Sequence, residues 1–263
     1  MKINIHEIYG NVYFPKDFNE ILILLLEDSS TKDFLVPKLW RGQCNISWPI
    51  NSSAHRRIEL GSVTKDGEQS LVNYEKRLLN AATHQGYRLQ NGRNLSDFEL
   101  LARLQHHGAA TRLLDFSKNA MVALWFACKD QPSETGILIG IHTHFVGGGE
   151  TSIYNEKYSE IVSNAAMRNF PTVYEPPIVS PRIAAQHALF LFSKFSIEQY
   201  GSLKLPEENE AKIFIAITPK LKESCLNILE SVFDYRNLTL FPDIDGFGIA
   251  NSQNISQYIM NRW

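Results

Sequence analysis

Residues 104–128 read LQHHGAATRLLDFSKNAMVALWFAC, a polar segment that leads into a helix without a polar face. Ser117 or Asn119 can cap that helix by accepting from its first free N–H groups. The run Ala120–Cys128 is apolar on nearly every side, which places it in the middle of the core. We expect the preceding polar residues to form a short loop between buried helices, where each polar group needs a partner.

Capping residues and apolar spacing predict the elements around this stretch. Asp17 with Glu20 and Ser96 with Glu99 are capping boxes, and Gly108 suits a helix C-terminus. The predicted helices are Phe18–Asp28, Gly67–Tyr87, a helix from Ser96 through His107, Ala120–Cys128, Pro219–Val232 and a last one capped by Asn251 or Ser252 that ends near Met260. The predicted strands are Val36–Gly42, Gly136–His142 and Ala211–Thr218.

This alternation lacks a strict βαβ rhythm, so we expect an α+β fold with a mixed sheet flanked by helices. Neither the Gly147–Gly149 run nor the proline-containing region 171–181 requires a domain boundary. We therefore predict a single domain over residues 36–263, with residues 1–35 as an N-terminal helical segment packed on it.

Composition excludes several classes of protein. The chain has 263 residues, 44% of them hydrophobic, which is typical of a folded protein, and a net charge of −2, which gives no argument for nucleic-acid binding. The three cysteines, Cys44, Cys128 and Cys225, form no C-x-x-C pair, which favours a reducing cytoplasm. The apolar stretch Ile21–Leu26 is too short to span a membrane.

The first candidate for chemistry is Arg41, at the end of a predicted strand in the sequence Trp40-Arg41-Gly42-Gln43. A guanidinium forms paired hydrogen bonds to a phosphate and stays charged at any working pH. The alternative is a structural ion pair, which is the commoner role of such an arginine.

The second candidate is Asp115, two residues before a predicted helix start that favours anions. For Arg112, three residues earlier, an ion pair inside the domain is the simpler interpretation. The adjacent pair His106-His107 faces two directions on a helix, and we expect no metal site because further ligands are lacking.

The third candidate is Gln186, which lies among small and apolar residues. An amide donates and accepts at once, so it can orient a hydroxyl, or it can tie down a loop. The sequence has no phosphate-loop lysine motif, no G-x-G-x-x-G, no G-x-S-x-G and no HExxH, which argues against common ATPases, Rossmann dehydrogenases, serine hydrolases and zinc proteases.

Taken in order, these segments resemble the FRG domain, a family named for a Phe-Arg-Gly motif in which Trp40 here replaces Phe. The resemblance covers about Val36 to Ile249. It rests on Trp40-Arg41-Gly42-Gln43, Gln105-His106-His107-Gly108, Thr111-Arg112-Leu113-Leu114-Asp115-Phe116, Ala123-Leu124-Trp125-Phe126-Ala127, Arg182 with Gln186 and Phe190, and the segment from Leu240 to Gly246.

FRG domains resemble ADP-ribosyltransferases, and this resemblance implies an NAD site with catalytic residues Arg41, Asp115 and Gln186. Arg41 matches the first motif, Asp115 and Ser117 the second, and Gln186 the third. Asp115-Phe116-Ser117 stands where Ser-Thr-Ser is usual, and Gln186 where glutamate is usual. Because an amide is no general base, Asp115 is the candidate for proton abstraction. The residues assigned to NAD binding are Arg41, Gly42, Gln43, His107, Thr111, Arg112 and Ser117.

The resemblance further implies ADP-ribosyl transfer to a macromolecular acceptor, RNA or protein, by a cytoplasmic toxin of bacterial anti-phage defence with an antitoxin partner. No membrane partner is expected. Two alternatives stay open: a non-catalytic FRG module that binds a nucleotide or nucleic acid, and an interaction subunit without a small-molecule site.

Overall fold

A mixed sheet of nine strands organises the chain in a computed structural model, which describes residues 2–27, 38–60, 67–148, 157–177 and 180–251. The strands are β1 (Lys2–His6), β2 (Gly10–Phe14), β3 (Lys38–Gln43), β4 (Leu89–Gln90), β5 (Arg93–Asn94), β6 (Leu114–Ser117), β7 (Gly136–His142), β8 (Gly147–Gly148), β9 (Thr172–Tyr174), β10 (Ala188–Phe192) and β11 (Lys212–Ile217). Their order is β1-β2-β11-β7-β3-β6-β10-β9-β8, and β4 pairs with β5 separately. The predicted α+β class with a mixed sheet is confirmed.

The helices flank this sheet, and none that the structure describes is long and apolar enough to cross a bilayer. They are α1 (Phe18–Glu27), α2 (Ser53–Leu60), α3 (Gly67–His84), α4 (Asp97–His106), α5 (Ala120–Cys128), α6 (Tyr158–Ala166), α7 (Pro181–Ala185), α8 (Pro219–Ser231), α9 (Asn237–Leu240) and α10 (Ile244–Ala250), with short 3₁₀ turns at Thr143–Phe145 and Asn209–Ala211.

Two groups of helices contact the same face of the sheet. Side chains of α1, α5 and α8 pack with Trp40 and Leu138 of the central strands. Side chains of α3, α4 and α6 pack with Phe190 and Phe192 of β10. Because β6 lies between β3 and β10 in the sheet, the face of β6 lies between the two helix groups.

The predicted capping residues are found where helices begin. Ser96 and Glu99 form the reciprocal capping box of α4, and Asn119, not Ser117, caps α5. Gly108 follows α4 with φ of +85°, a backbone conformation that costs glycine little. The capping residues that mark these helix boundaries thus lie next to the helices in sequence.

The prediction of a loop before α5 is wrong at Leu114–Ser117, which form β6. This strand is only four residues long and carries polar residues at two of its positions, so its apolar pattern is weak. It is held by β10 along its length and by β3 at one position, and both partners are distant in sequence. Non-local pairing, not local propensity, makes it a strand.

The N-terminal segment, which was predicted to be helical, also contributes two strands to the sheet. β1 and β2 form an antiparallel hairpin, and β2 joins β11 of the main sheet through Tyr13 and Ile215. The predicted boundary between residues 35 and 36 and the predicted last helix after Ser252 lie outside the described residues. The structure has a helix before that point, α10, which apolar spacing did not predict.

Candidate functional site

A cavity of about 320 Å³ opens on the sheet face between the two helix groups. Its volume lies near the lower end of the range of small-molecule sites, which is roughly 300–1,000 Å³. The lining residues come from segments that are far apart in sequence: Trp40, Arg41, Gly42, Ala102, Gln105, His106, Asp115, Phe116, Ser117, Val122, Ala123, Phe126, Arg182, Ile183, Gln186, Ala188, Phe190 and Phe241.

The three predicted catalytic residues all lie in this lining. Arg41 comes from β3, Asp115 from β6, and Gln186 from the end of α7. Residues of adjacent positions on a strand point to opposite faces, so Arg41 starts on the face opposite to Trp40 and Gly42. The arginine nevertheless reaches the cavity, because β3 pairs with β6 only at Trp40 and Ser117.

The Arg41 guanidinium bridges the separating strands. Its Nη1 donates to the backbone oxygen of Asp115 at 2.8 Å, and its Nε donates to Gln43 Oε1 at 3.1 Å. A guanidinium has five N–H donors, so these bonds fix its plane and leave donors for a ligand. Burial lowers the pKa of Arg41, and the charge of Asp115 opposes that effect.

Gln43 holds the Arg41 guanidinium in place and does not itself line the cavity. Its Nε2 donates to Trp48 O at 2.9 Å and lies 3.2 Å from the hydroxyl oxygen of Tyr9. These bonds orient the amide oxygen towards Arg41 Nε. The sequence predicts that Gln43 contacts NAD, and the structure places it one layer behind the cavity lining.

Gly42 lets the helix α5 approach β3 at backbone distance. A Cβ at this position would lie 2.5 Å from the amide nitrogen of Ala127 and would overlap the carbonyl oxygen of Ala123. Ala123 and Ala127 are one helical turn apart and both small, so helix and strand pack backbone to backbone. This contact holds the strand end that carries Arg41 against the core.

Asp115 is exposed and held by a polar chain that starts at the buried Thr111. Gln105 Nε2 donates to Asp115 Oδ1 at 2.7 Å, and Thr111 donates through its hydroxyl to Gln105 Oε1. Because both ends of the Gln105 amide are engaged, the carboxylate is oriented by a rigid neighbour. Thr111 therefore acts behind the cavity, not in its lining.

Gln186 lines the cavity with an amide that is anchored on one side. Its Nε2 donates to Leu240 O at 2.9 Å, which ties α7 to α9. With the amide turned the other way, Gln186 Oε1 would face the carbonyl oxygen of Leu240. The contact therefore also determines that Oε1 is the amide atom that points away from Leu240. Ser117 donates through its hydroxyl to the backbone oxygen of Gln186 at 2.7 Å and joins β6 to the same place.

A second group of polar residues closes the cavity on the side of α7. Arg182 donates to Asp243 at 2.8 Å and lies over the ring of Phe241, 4.8 Å from its centroid. His106 Nε2 lies 3.4 Å from Asp243 Oδ2. The bond from Arg182 is the main reason that the pKa of Asp243 lies below its usual value.

Two residues assigned to NAD binding lie away from the cavity. Arg112 is buried and bonds to Glu75, Glu68 and Tyr158, which is the internal ion pair that its spacing favoured. His107 is exposed at the C-cap of α4. Of the seven residues assigned to NAD, the structure brings Arg41, Gly42 and Ser117 to the lining.

Sequence reasoning assigned no role to several lining residues, chief among them Gln105, His106, Phe241 and Arg182. Their closeness in sequence to predicted site residues could have indicated them. Gln105 and His106 belong to the polar segment before β6, and Arg182 precedes Gln186 by one helical turn. Nothing in local spacing tells which side of a helix faces a cavity.

In chemical terms, the lining combines two guanidiniums, one carboxylate, two side-chain amides, an imidazole and several aromatic rings. Guanidiniums bind phosphates through paired hydrogen bonds, and aromatic rings provide flat apolar surface for a heterocycle. Such a cavity suits an anionic ligand that carries a ring.

The model of the FRG domain family matches residues 37–136 of the chain. The matched span carries Trp40, Arg41, Gly42, Asp115 and Ser117, whereas the segments around Gln186 and Phe241 follow it. No curated protein matches the chain, and no solved structure matches it.

Proposed function

We propose that the chain, of which residues 37–136 match the FRG domain family, is an NAD-dependent ADP-ribosyltransferase that modifies a macromolecular acceptor, RNA or protein. One observation carries this proposal: Arg41, Asp115 and Gln186, separated by more than 140 residues of sequence from first to last, line one cavity. A structural role for each residue alone would not require them to share a cavity.

Arg41 binds the pyrophosphate of NAD in this proposal. Its Nε and one Nη1 proton are held by Gln43 and by the backbone of Asp115, and the remaining N–H groups can form a fork towards a phosphate. Because the guanidinium is oriented before the ligand arrives, little conformational entropy is lost on binding.

Gln186 and Asp115 act at the nicotinamide ribose. With Nε2 of Gln186 held by Leu240, the amide oxygen accepts a hydrogen bond from a ribose hydroxyl. Loss of neutral nicotinamide leaves an oxocarbenium-like centre, which the carboxylate of Asp115 stabilises. A preorganised charge or dipole of this kind contributes about 2.7–4 kcal/mol, roughly a hundred- to a thousandfold in rate.

The test is nicotinamide release from NAD by purified protein, with total cellular RNA and protein present as acceptors. We expect Arg41→Ala to lower the rate by at least about a hundredfold while circular dichroism stays that of the wild type. Arg103→Ala is the matched control, because Arg103 bonds to the backbone oxygen of Tyr87 and lies outside the lining. Mass spectrometry then identifies the acceptor as the species that gains an ADP-ribose.

An unchanged release rate in folded Arg41→Ala protein would remove Arg41 from the NAD site. A wild-type protein that releases no nicotinamide would overturn the enzymatic proposal itself.

A non-catalytic module that binds a nucleotide is the second candidate, and one observation favours it. Gln186 stands where a glutamate is usual in ADP-ribosyltransferases, and its amide is partly committed to Leu240. A module of this kind binds NAD, measured by calorimetry, and leaves nicotinamide attached. The two candidates therefore give opposite results in the release assay.

We also propose a biological setting, a toxin of bacterial anti-phage defence that an antitoxin restrains in the cytoplasm. Its support is the resemblance of FRG domains to ADP-ribosyltransferases. Induction without a partner should then slow bacterial growth, and Arg41→Ala should restore it to the rate of cells that carry an empty vector. If the wild type and Arg41→Ala inhibit growth equally, the toxicity does not arise from this cavity.

A further inference from the structure

The cavity contains two side chains that can take up a proton, Asp115 and His106. The other polar groups of the lining are guanidiniums, amides and a hydroxyl, none of which is a base near neutral pH. The reaction proposed above needs such a base, because an acceptor hydroxyl or amine must lose a proton as it bonds to the ribose.

Asp115 is poorly placed for this task. Its Oδ1 accepts from Gln105, and the guanidinium of Arg41 bonds to its own backbone oxygen. A carboxylate held in this way is well suited to face a developing positive charge. If Asp115 took up the acceptor proton, its carboxylate would become neutral at the moment when the positive charge on the ribose is largest.

His106 has a different environment. It is the last residue of α4, lines the cavity, and places Nε2 3.4 Å from Asp243 Oδ2. That oxygen is buried and forms an ion pair with Arg182 Nη2 at 2.8 Å, and no hydrogen-bond donor among the described residues is well aligned with it. Asp243 is itself fixed, because Oδ1 accepts from Arg182 and from the backbone nitrogen of Gly246, both at 2.8 Å.

We propose that His106 is the general base of this site and that Asp243 is the positioning residue that orients it. An N–H on Nε2 directed at Asp243 leaves Nδ1 as the basic nitrogen. In the transfer step the acceptor O–H or N–H bond breaks and its proton moves to Nδ1. The acceptor atom bonds to C1′ of the ribose, and the electron pair of the C1′–N bond leaves with nicotinamide. His106 afterwards gives its proton to water.

The charges around His106 agree with this role. Burial lowers its pKa below the usual value of 6.5, and Arg182 and His107 add to this effect. Asp243 and Asp245 oppose it. Burial and Arg182 thus favour the neutral imidazole that accepts a proton, and Asp243 stabilises the imidazolium that then forms.

The inference rests on the proposed transferase activity, and the same release assay tests both. We expect His106→Gln to lower nicotinamide release about a hundred- to ten-thousandfold, the usual contribution of a general base. His84→Gln is the matched control, since His84 is exposed at the end of α3 and lies outside the cavity, and its rate should stay within about twofold of the wild type.

Two further readouts separate a base from a structural residue. Added imidazole should restore part of the activity of His106→Ala, in proportion to its uncharged fraction. The wild-type rate should fall as the pH is lowered through the pKa of His106, which lies below the usual histidine value, and His106→Gln should lack this acidic limb. In Asp243→Asn the limb should move to still lower pH, because a negative charge that raises the pKa of His106 is lost.

Three outcomes overturn the inference. An active His106→Gln beside an inactive Arg41→Ala refutes the base and leaves the transferase intact. A slow His106→Ala that imidazole does not restore and that keeps the acidic limb assigns His106 a structural role. A wild-type protein that releases no nicotinamide refutes the transferase and the base together.

Discussion

Gly42→Ala should destabilise the protein by more than about 3 kcal/mol, beyond the usual cost of one added methyl group in a core. The new Cβ would meet the backbone of α5 at Ala123 and Ala127, and a helix backbone cannot move aside as a flexible side chain can. Both helix and strand are fixed by close packing, so α5 would have to shift as a unit. Denaturant unfolding followed by circular dichroism measures the loss as a lower midpoint.

Gly248→Ala is the control for this prediction. Gly248 lies inside α10, is exposed, and has no atom within 4 Å of an added Cβ. Alanine favours a helix over glycine by up to about 1 kcal/mol, so this variant should be as stable as the wild type or slightly more so. A Gly42→Ala protein with an unchanged midpoint would contradict the backbone contact between β3 and α5.

Glu75→Leu should cost about 3–5 kcal/mol, the usual penalty for breaking a buried ion pair from one side. Glu75 and Arg112 are both buried, and Arg112 donates to Glu75 from its backbone nitrogen and from Nε, each at 2.6 Å. Tyr158 donates to the same carboxylate at 2.6 Å. Although burial by itself lowers the pKa of Arg112, the negative charge of Glu75 raises it above its ordinary value.

A double variant distinguishes loss of charge pairing from loss of packing. Glu75→Leu combined with Arg112→Met removes both charges, so it should recover part of the stability that Glu75→Leu loses. Asp130→Asn breaks an exposed pair with Lys129 and should change stability by less than about 1 kcal/mol. If the double variant is no more stable than Glu75→Leu, the unpaired charge of Arg112 is not the cause of the stability that Glu75→Leu loses.

The network around Arg112 also explains why this arginine lies behind the cavity. It joins the start of β6 to α3 and α6 through Glu75 and Tyr158, and Glu68 extends it to the backbone of Phe195. Two residues along, Leu114 begins the strand that presents Asp115. A buried ion pair outside the cavity lining thus sets the position of a cavity residue.

Local sequence determined the elements whose signals are local. The reciprocal box of Ser96 and Glu99, the cap at Asn119 and the apolar run of α5 each depend on residues within one or two helical turns, and their predicted positions are confirmed. The same holds for β7, whose uninterrupted apolar pattern suits the centre of a sheet.

Tertiary structure alone decided how the cavity is assembled. β6 is a strand because β10 and β3 pair with it, and Arg41 enters the cavity because β3 and β6 separate after Trp40 and Ser117. These strand pairings join residues more than 70 positions apart, and local sequence spacing does not predict which of them lie close in space. The sequence by itself therefore determined which residues are available for chemistry, and long-range packing decided which of them share a cavity.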